Sequence, residues 1–115
     1  MSDEALEQEI RAKGLNAPRV TLEQLMDNIV HVEYVVHVAP GKQVMRWCVL
    51  STRNEFAVTG DPSVAVSPEN DNKEIGERIA FENARNKLWP LMGYELKTRL
   101  HDAARKYAVE CSLEG

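Results

Sequence analysis

Residues 56–90 read FAVTGDPSVAVSPENDNKEIGERIAFENARNKLWP, and this stretch decides the fold class. Its first part predicts a strand that ends at Gly60 and a second short apolar run at Val64–Val66. From about residue 72 the apolar residues recur at helical spacing instead. A chain that passes from strands to helices in this order is typical of an α+β domain.

The helical part of this stretch contains one start signal and one break. Asp71 and Glu74 have the spacing of a capping box, which predicts a helix over 72–88. Pro90 cannot continue the backbone hydrogen bonds of that helix. A second helix is therefore predicted over 91–107.

Upstream of this stretch, alternation with a period of two begins at Ile29 and predicts a strand. Pro40-Gly41 suits a tight turn before the next strand, Gln43–Ser51. A two-residue loop at this turn pairs Tyr34 with Trp47.

A second hairpin around Arg53-Asn54 pairs Val49 with Val58, so that three strands share one apolar face. We therefore predict an α+β fold in which an antiparallel sheet of three to four strands packs on the two C-terminal helices. The predicted core consists of Tyr34, Trp47, Val49, Val58, Ile79, Leu88, Leu96 and Leu100.

The other face of this sheet is expected to be mixed and partly apolar. Its apolar residues are Val35, Val44, Cys48 and Leu50. A domain this small has few ways to cover such a face by itself, so we expect a homodimer or a larger homo-oligomer.

The N-terminal residues are expected to form a short helical extension, 1–20, before a single domain at 21–110. An acidic helix over 3–13 is predicted, with Ser2 as its cap and Gly14 as its stop signal. A further short helix is predicted over 22–28.

Bulk composition predicts a soluble cytoplasmic protein. The chain has 115 residues, 43% of them hydrophobic and 28% charged, and it has no apolar run long enough to span a membrane. The acidic N-terminus does not resemble a secretory signal. Cys48 and Cys111 have a spacing that suits neither a disulfide framework nor a zinc site.

The net charge of −4 is unevenly distributed. Residues 1–28 carry six acids and three bases, whereas residues 73–106 carry eight bases and five acids. A local basic surface on an acidic protein favours a small anionic ligand over duplex DNA, so nucleic acid is an unlikely partner. The alternative is that these charges form solvated helix faces with ion pairs.

No catalytic or metal-binding pattern is recognisable in the chain. His31 and His37 fall on one face of a strand, about 20 Å apart, which is too far for both to bind one ion. Cys48 shares that face, but nothing resembles a nucleophile elbow or a phosphate-binding loop. We expect no enzyme activity, no metal and no cofactor.

Two polar residues of the C-terminal helices are candidates for binding. Asn83 falls in the middle of an apolar helix face, where an unpaired amide would cost about 1–3 kcal/mol. It either caps a loop carbonyl near residues 68–70 or lines a ligand pocket. Arg99 either stacks on a base or grips a phosphate, or else it extends along the helix as a rim residue.

The chain resembles a family of small proteins from tailed bacteriophages and prophages over about residues 30–100. The residues that carry the resemblance are Phe56-Ala57-Val58-Thr59-Gly60, Ser67-Pro68-Glu69-Asn70, Glu74-Ile75-Gly76, Ala80, Asn83-Ala84, Lys87-Leu88-Trp89-Pro90-Leu91, Gly93-Tyr94 and Leu96-Lys97-Thr98-Arg99-Leu100. That family looks related to phage anti-Thoeris sponges, which sequester signals of the cyclic ADP-ribose type. Asp71 stands where the resemblance predicts an aromatic residue.

The resemblance implies a phage counter-defence protein that binds a nucleotide-like signalling molecule without turnover. We expect Arg99 to contact a base or a phosphate, with Asn83 and Asp102 as hydrogen-bonding partners. Arg46 or Arg85 would supply a second positive charge. The alternative is an inhibitor of a host protein that acts through the acidic extension at residues 1–28.

Overall fold

The computed structural model describes residues 3–14 and 17–114, with side chains described up to residue 109. It confirms an α+β fold with a four-stranded antiparallel sheet. In chain order the elements are α1 (Asp3–Ala12), α2 (Leu22–Asp27), β1 (Ile29–Val38), β2 (Val44–Thr52), β3 (Ala57–Thr59), β4 (Ser63–Val64), a 3₁₀ turn (Pro68–Asn70), α3 (Lys73–Arg85) and α4 (Leu88–Glu114).

The chain divides into two compact units. One unit, Glu23–Trp89, contains the sheet and α3. The other unit contains the described residues up to Leu22 and from Pro90 onward, that is, α1 and most of α4.

Strand β2 is the centre of the sheet. It pairs with β1 on one side and with both β3 and β4 on the other, always antiparallel. This arrangement leaves β1 at an edge of the sheet.

The predicted register of the first hairpin is wrong by one residue. Tyr34 lies opposite Cys48, not opposite Trp47. The loop contains three residues, 40–42, and the last of them, Lys42, has a φ of 71°. Three-residue hairpin loops commonly end in such a left-handed residue. The extra loop residue shifts the pairing by one and turns β2 over relative to the prediction.

The second hairpin differs from the prediction in the same way. Leu50, not Val49, lies opposite Val58. Its loop, 53–55, also has three residues and ends in Glu55 with a φ of 71°. Both loops are one residue longer than predicted. The side chains of β1 and β3 therefore point to the predicted faces of the sheet, and only those of β2 are reversed.

The reversal of β2 changes which residues form the core. Among the residues whose side chains the structure describes, the fully buried hydrophobic ones are Leu25, Cys48, Leu50, Ala80, Ala84 and Leu88. Of the predicted core, Leu88 is confirmed as buried, whereas Ile79 is 43% exposed and Leu100 is 41% exposed. Trp47 and Val49 are partly buried on the opposite face of the sheet.

The open face of the sheet therefore has a different composition from the predicted one. Cys48 and Leu50, which were assigned to it, are buried instead. Met45, Trp47 and Val49 take their place beside Val35, which is 49% exposed. The open face remains partly apolar.

Helix α3 packs on β2 through its smallest residues. Gly76, Ala80 and Ala84 are four residues apart and all buried. The cap is Asn72, not Asp71 as predicted, since the Asn72 side-chain oxygen accepts a hydrogen bond from the Ile75 N–H at 3.0 Å. Asp71 is therefore available for another partner.

Gly60, which directly follows β3, lies very close to the backbone of α3. A Cβ atom at this position would lie 2.4 Å from the carbonyl carbon of Asn83 and 2.6 Å from the nitrogen of Ala84. Real Cβ contacts are essentially never this short, so only glycine fits.

Helix α4 is longer than predicted and begins earlier. It runs from Leu88 to Glu114, and the break after α3 falls at residues 86–87. Pro90 lies in the first turn of α4, where its missing N–H would have had no partner in any case. The prediction that Pro90 separates the two helices is therefore wrong.

Helix α1 begins at Asp3 and buries none of its side chains. The predicted cap, Ser2, lies outside the described residues. Within the same compact unit, Arg19 donates two hydrogen bonds to the Glu7 carboxylate, at 2.8 and 3.0 Å. These bonds lower the pKa of Glu7.

Candidate functional site

A bidentate ion pair between Arg46 and Asp71 lies at the junction of the sheet and α3. Arg46 of β2 is only 8% exposed, and its guanidinium donates to both carboxylate oxygens of Asp71, at 2.5 and 2.9 Å. The hydrogen bonds from Arg46 hold the pKa of Asp71 below its usual value. The same bonds raise the pKa of Arg46, although burial acts in the other direction. A buried arginine is compatible with the fold because this carboxylate is its partner.

The first buried residue of α3 leaves space for the arginine. A Cβ atom on Gly76 would lie 2.9 Å from Nη1 of Arg46 and 3.1 Å from Oγ of Ser63. The absence of a side chain at this position therefore lets the guanidinium pass beneath the helix to reach Asp71.

A cavity of about 140 Å³ opens beside this ion pair, at the N-terminal end of α3. Its wall combines the end of β4, the segment before α3 and the first two turns of α3. The lining residues are Ser63, Val64, Ala65, Asn70, Asp71, Asn72, Ile75, Gly76 and Ile79.

One polar atom of the cavity wall has no partner. Ser63 is 6% exposed, and its buried Oγ forms no hydrogen bond within the described part of the chain. Leaving a buried hydroxyl unpaired costs about 1–3 kcal/mol, so native proteins rarely do so without a reason. The wall of the cavity therefore contains a residue with an unused donor and acceptor, together with the Asp71 carboxylate.

Three of the predicted site residues lie in the unit that contains the sheet, and they have different partners. Arg46 binds Asp71, as described above. The side-chain amide of Asn83 donates a hydrogen bond to the backbone carbonyl of Asp61 at 3.0 Å. A bond to a loop carbonyl was one of the two predicted roles of Asn83, but the predicted loop was 68–70. Arg85 is partly buried near the end of α3.

The other two predicted site residues, Arg99 and Asp102, lie on α4. Both are exposed, and both have a local partner. Arg99 lies 3.4 Å from the Glu95 carboxylate one turn earlier, and Asp102 lies 3.6 Å from the neighbouring His101.

The buried thiol of Cys48 faces α3. Burial, with a smaller effect from the Glu77 carboxylate, raises the pKa of Cys48 to about 11. The thiol is therefore protonated at neutral pH, whereas cysteine nucleophiles require the thiolate.

Neither a metal cluster nor a membrane span is found in the part of the chain that the structure describes. No three histidine, cysteine or acidic side chains among these residues come together as a metal site would require. Among the same residues, no helix has both the length and the hydropathy needed to cross a membrane.

The fold and the cavity together define a small α+β domain with a ligand-sized space at its helix–sheet junction. The chain belongs to the Phage protein (N4 Gp49/phage Sf6 gene 66) family, whose sequence model matches residues 20–100. The match confirms the resemblance to a phage protein family. No curated protein and no solved structure matches the chain.

Sequence reasoning named Arg46 but missed the residues that act with it. Asp71 was interpreted as a helix cap, and Ser63 was not singled out. One signal was available: an arginine that alternates with apolar residues in a central strand needs a nearby acid if it is buried. The unpaired hydroxyl of Ser63 has no equivalent signal in the sequence.

Proposed function

We propose that this phage protein binds a nucleotide-like signalling molecule without transforming it, and that one ring of the ligand enters the cavity at α3. The observation that carries the proposal is the unpaired, buried hydroxyl of Ser63 in the wall of that cavity. A ligand hydroxyl or ring nitrogen would supply the missing partner. Counter-defence by sequestration is the role that the resemblance to anti-Thoeris sponges implies.

The size of the cavity limits what it would accept. At about 140 Å³ it is close to a cavity of roughly 150 Å³ that accommodates one benzene molecule. A ribose or a single base ring would fit, whereas the rest of a cyclic dinucleotide would extend outside. Ile75 and Ile79 provide an apolar wall, being 48% and 43% exposed respectively.

The charges at the cavity favour a sugar over a free phosphate. Arg46 is already neutralised by Asp71, so a phosphate would have to displace that carboxylate. A carboxylate instead accepts hydrogen bonds from ribose hydroxyl groups, as acidic residues do in dinucleotide-binding folds. Asp71, which replaces the expected aromatic residue, would then act as an acceptor.

Arg99 and Asp102 lie on α4, in the other compact unit, so the cavity proposal does not include them. Each would have to exchange its local partner, Glu95 or His101, for a ligand contact of its own. Arg85 is a further proposed positive charge. Asn83 would have to exchange its bond to the Asp61 carbonyl for a ligand contact.

Binding without turnover is supported by the chemistry of Cys48. A thiol with a pKa of about 11 that is fully buried is a poor nucleophile at neutral pH. The proposal therefore assigns no chemical step to the ligand.

Calorimetry tests the proposed function. The full chain is titrated with cyclic ADP-ribose isomers and with cyclic di- and trinucleotides, and bound ligand is then released by heat and identified. Tight binding with recovery of the unchanged ligand is expected. Failure to bind any of these molecules, or recovery of a cleaved product, contradicts the proposal.

A pair of serine variants tests the site. Ser63→Ala removes the cavity hydroxyl and should weaken binding about three- to tenfold, as expected for one neutral hydrogen bond. Ser51→Ala is the matched control, because Ser51 lies on β2 and is not part of the cavity wall. Equal affinities of the two variants would place the ligand elsewhere.

A second candidate function is inhibition of a host protein through α1. This helix has no buried side chain, and Glu4 and Glu9 on it are exposed, so they could meet a basic surface, Glu9 in competition with Lys13. Deleting residues 1–20 tests it, because a longer deletion to residue 28 would also remove Leu25, which is fully buried. A host protein that is retained by the full chain and lost with this deletion would support inhibition; equal retention would contradict it.

A further inference from the structure

Strand β1 is a long edge strand with an unusually apolar surface. It has 10 residues, whereas strands commonly have about five or six. Four of its valines are strongly exposed: Val30 at 59%, Val35 at 49%, Val36 at 55% and Val38 at 55%. β2 covers only one of its two edges.

The outer edge of β1 presents a defined set of backbone groups. The N–H of Ala39 donates to the Gln43 carbonyl at 2.8 Å, so it points toward β2. Paired residues in an antiparallel ladder alternate between hydrogen-bonded and non-hydrogen-bonded pairs. It follows that the odd-numbered residues 31–37 bond to β2. Val32, Tyr34, Val36 and Val38 direct their N–H and C=O groups outward.

This edge lacks the devices that normally prevent pairing. Between Ile29 and Val38 there is no proline, lysine or arginine, and Glu33 is the one acidic residue. The register irregularity between Ile29 and His31 disturbs only the first residues of the strand. Natural proteins rarely leave such an edge uncovered, because it can pair with another chain.

We propose that β1 pairs antiparallel with β1 of a second copy of this chain, around a two-fold axis that passes by Val35. A two-fold axis places each outward N–H of β1 opposite a C=O of β1 in the other copy. The outer edge of β1 can therefore pair with the same edge of a second copy. This pairing does not depend on the proposed ligand.

The pairing of Glu33 favours one register. With the axis at Val35, Glu33 lies opposite His37 of the second copy, and this pair occurs twice; Glu33 also lies 3.3 Å from His31 of its own strand, so the two histidines would share it. With the axis at Tyr34, His31 would lie opposite His37 of the second copy, which brings together two groups that carry like charge when protonated. Cross-strand pairs of opposite charge are favourable and pairs of like charge are not.

The pairing also covers the exposed valines. On the side of the sheet that carries α3, Val36 would meet Tyr34 of the second copy and Val32 would meet Val38. On the open face, Val35 would meet its own equivalent. The two four-stranded sheets would become one eight-stranded sheet, and the partly apolar open faces of the two copies would be continuous.

Cysteine cross-linking tests the register. Val35→Cys is made in a Cys111→Ser background. The other natural cysteine, Cys48, is fully buried, so the thiol at residue 35 is the one that an oxidant can reach. In the proposed register residue 35 forms a non-hydrogen-bonded pair with about 4.5 Å between Cα atoms, within the range for a disulfide. Mild oxidation should give a covalent dimer. Val36→Cys, which would lie opposite Tyr34, is the control and should cross-link poorly.

Proline substitutions test the edge itself. Val36→Pro removes an N–H that points outward, so it should weaken self-association roughly tenfold or more while the fold is retained. Val35→Pro removes an N–H that bonds to β2, and it should lower the thermal stability instead. Circular dichroism melts distinguish the two effects.

Light scattering on the full chain at tens of micromolar should give a particle of twice 13.0 kDa. A 13.0 kDa particle would overturn the proposal. So would a larger particle that Val36→Pro leaves intact, since the chains would then associate through another surface. Efficient cross-linking of Val36→Cys but not of Val35→Cys would overturn the register.

Discussion

Replacing Gly60 with alanine tests the close approach of this residue to the backbone of α3. The added Cβ would lie 2.4 Å from the carbonyl carbon and 2.5 Å from the carbonyl oxygen of Asn83, and 2.6 Å from the nitrogen of Ala84. Ordinary van der Waals contacts for a Cβ begin at 3.4 Å. The Cβ can be accommodated only if α3 and the end of β3 move apart by about 1 Å.

The expected cost follows from the kind of atom that is contacted. Overpacking typically costs about 1–3 kcal/mol, and flexible side chains reduce it by moving away. Here all three contacts are backbone atoms, which cannot rotate away, so we expect the upper end of that range. Alanine also stabilises by restricting the unfolded chain, by about 0.4–1 kcal/mol. The net loss in the free energy of unfolding should be about 2–3 kcal/mol, or roughly 10–20 °C in Tm.

Urea denaturation followed by tryptophan fluorescence measures this loss, because Trp47 and Trp89 are both partly buried. Gly41→Ala is the matched control: a Cβ at that position meets nothing within 4 Å, and its φ is not left-handed. The control should be as stable as the wild type or slightly more stable. If Gly60→Ala unfolds within about 0.5 kcal/mol of the control, the close approach of α3 to the sheet is wrong.

Three further predictions concern the ion pair, the thiol and the cavity. Because Arg46 lowers the pKa of Asp71, their ion pair stabilises the fold above about pH 4 and this contribution is lost as pH falls through the lowered pKa. The difference in free energy of unfolding between wild type and Asp71→Asn should therefore shrink below pH 4 in urea titrations; a constant difference down to pH 2 would refute the assignment. In a Cys111→Ser background, Cys48 should not react with a thiol reagent at pH 8 until denaturant is added, because its pKa is about 11 and its side chain is fully buried; rapid stoichiometric labelling of the native protein would contradict this. Ser63→Ala should leave the free energy of unfolding unchanged or raise it by up to about 1 kcal/mol, since the variant removes an unpaired buried hydroxyl; a clear loss of stability would indicate that this hydroxyl has a structural partner.

The candidate site could be predicted only in part, because it depends on residues that are distant in sequence. Arg46 was predicted only as one of two candidates for a second positive charge at the ligand. The pattern did not identify Asp71 as its partner, 25 positions later, because Asp71 also had the spacing of a helix cap. The choice between the two roles depends on Asn72, which caps α3 and leaves the Asp71 carboxylate free to bind the guanidinium.

The sequence by itself determined the order and type of the elements. Hydrophobic periodicity is a local property, so the strands from Ile29 to Thr59 and the helices after residue 72 follow from it directly. Which face of β2 is buried was decided by the tertiary structure. Both alternating sets of β2 residues contain hydrophobic side chains, so the pattern allowed either set to face α3.

One residue in each hairpin loop accommodates the observed arrangement. Both loops have three residues, one more than predicted, and Lys42 and Glu55 in them adopt left-handed backbone conformations, so β2 is reversed. Neither residue type favours that conformation, so the local sequence gave no sign of it. Burial of Cys48 and Leu50 against the small residues of α3 accompanies this reversal, and it brings Arg46 to Asp71. Such a choice depends on packing between distant segments, which the period of a single strand does not contain.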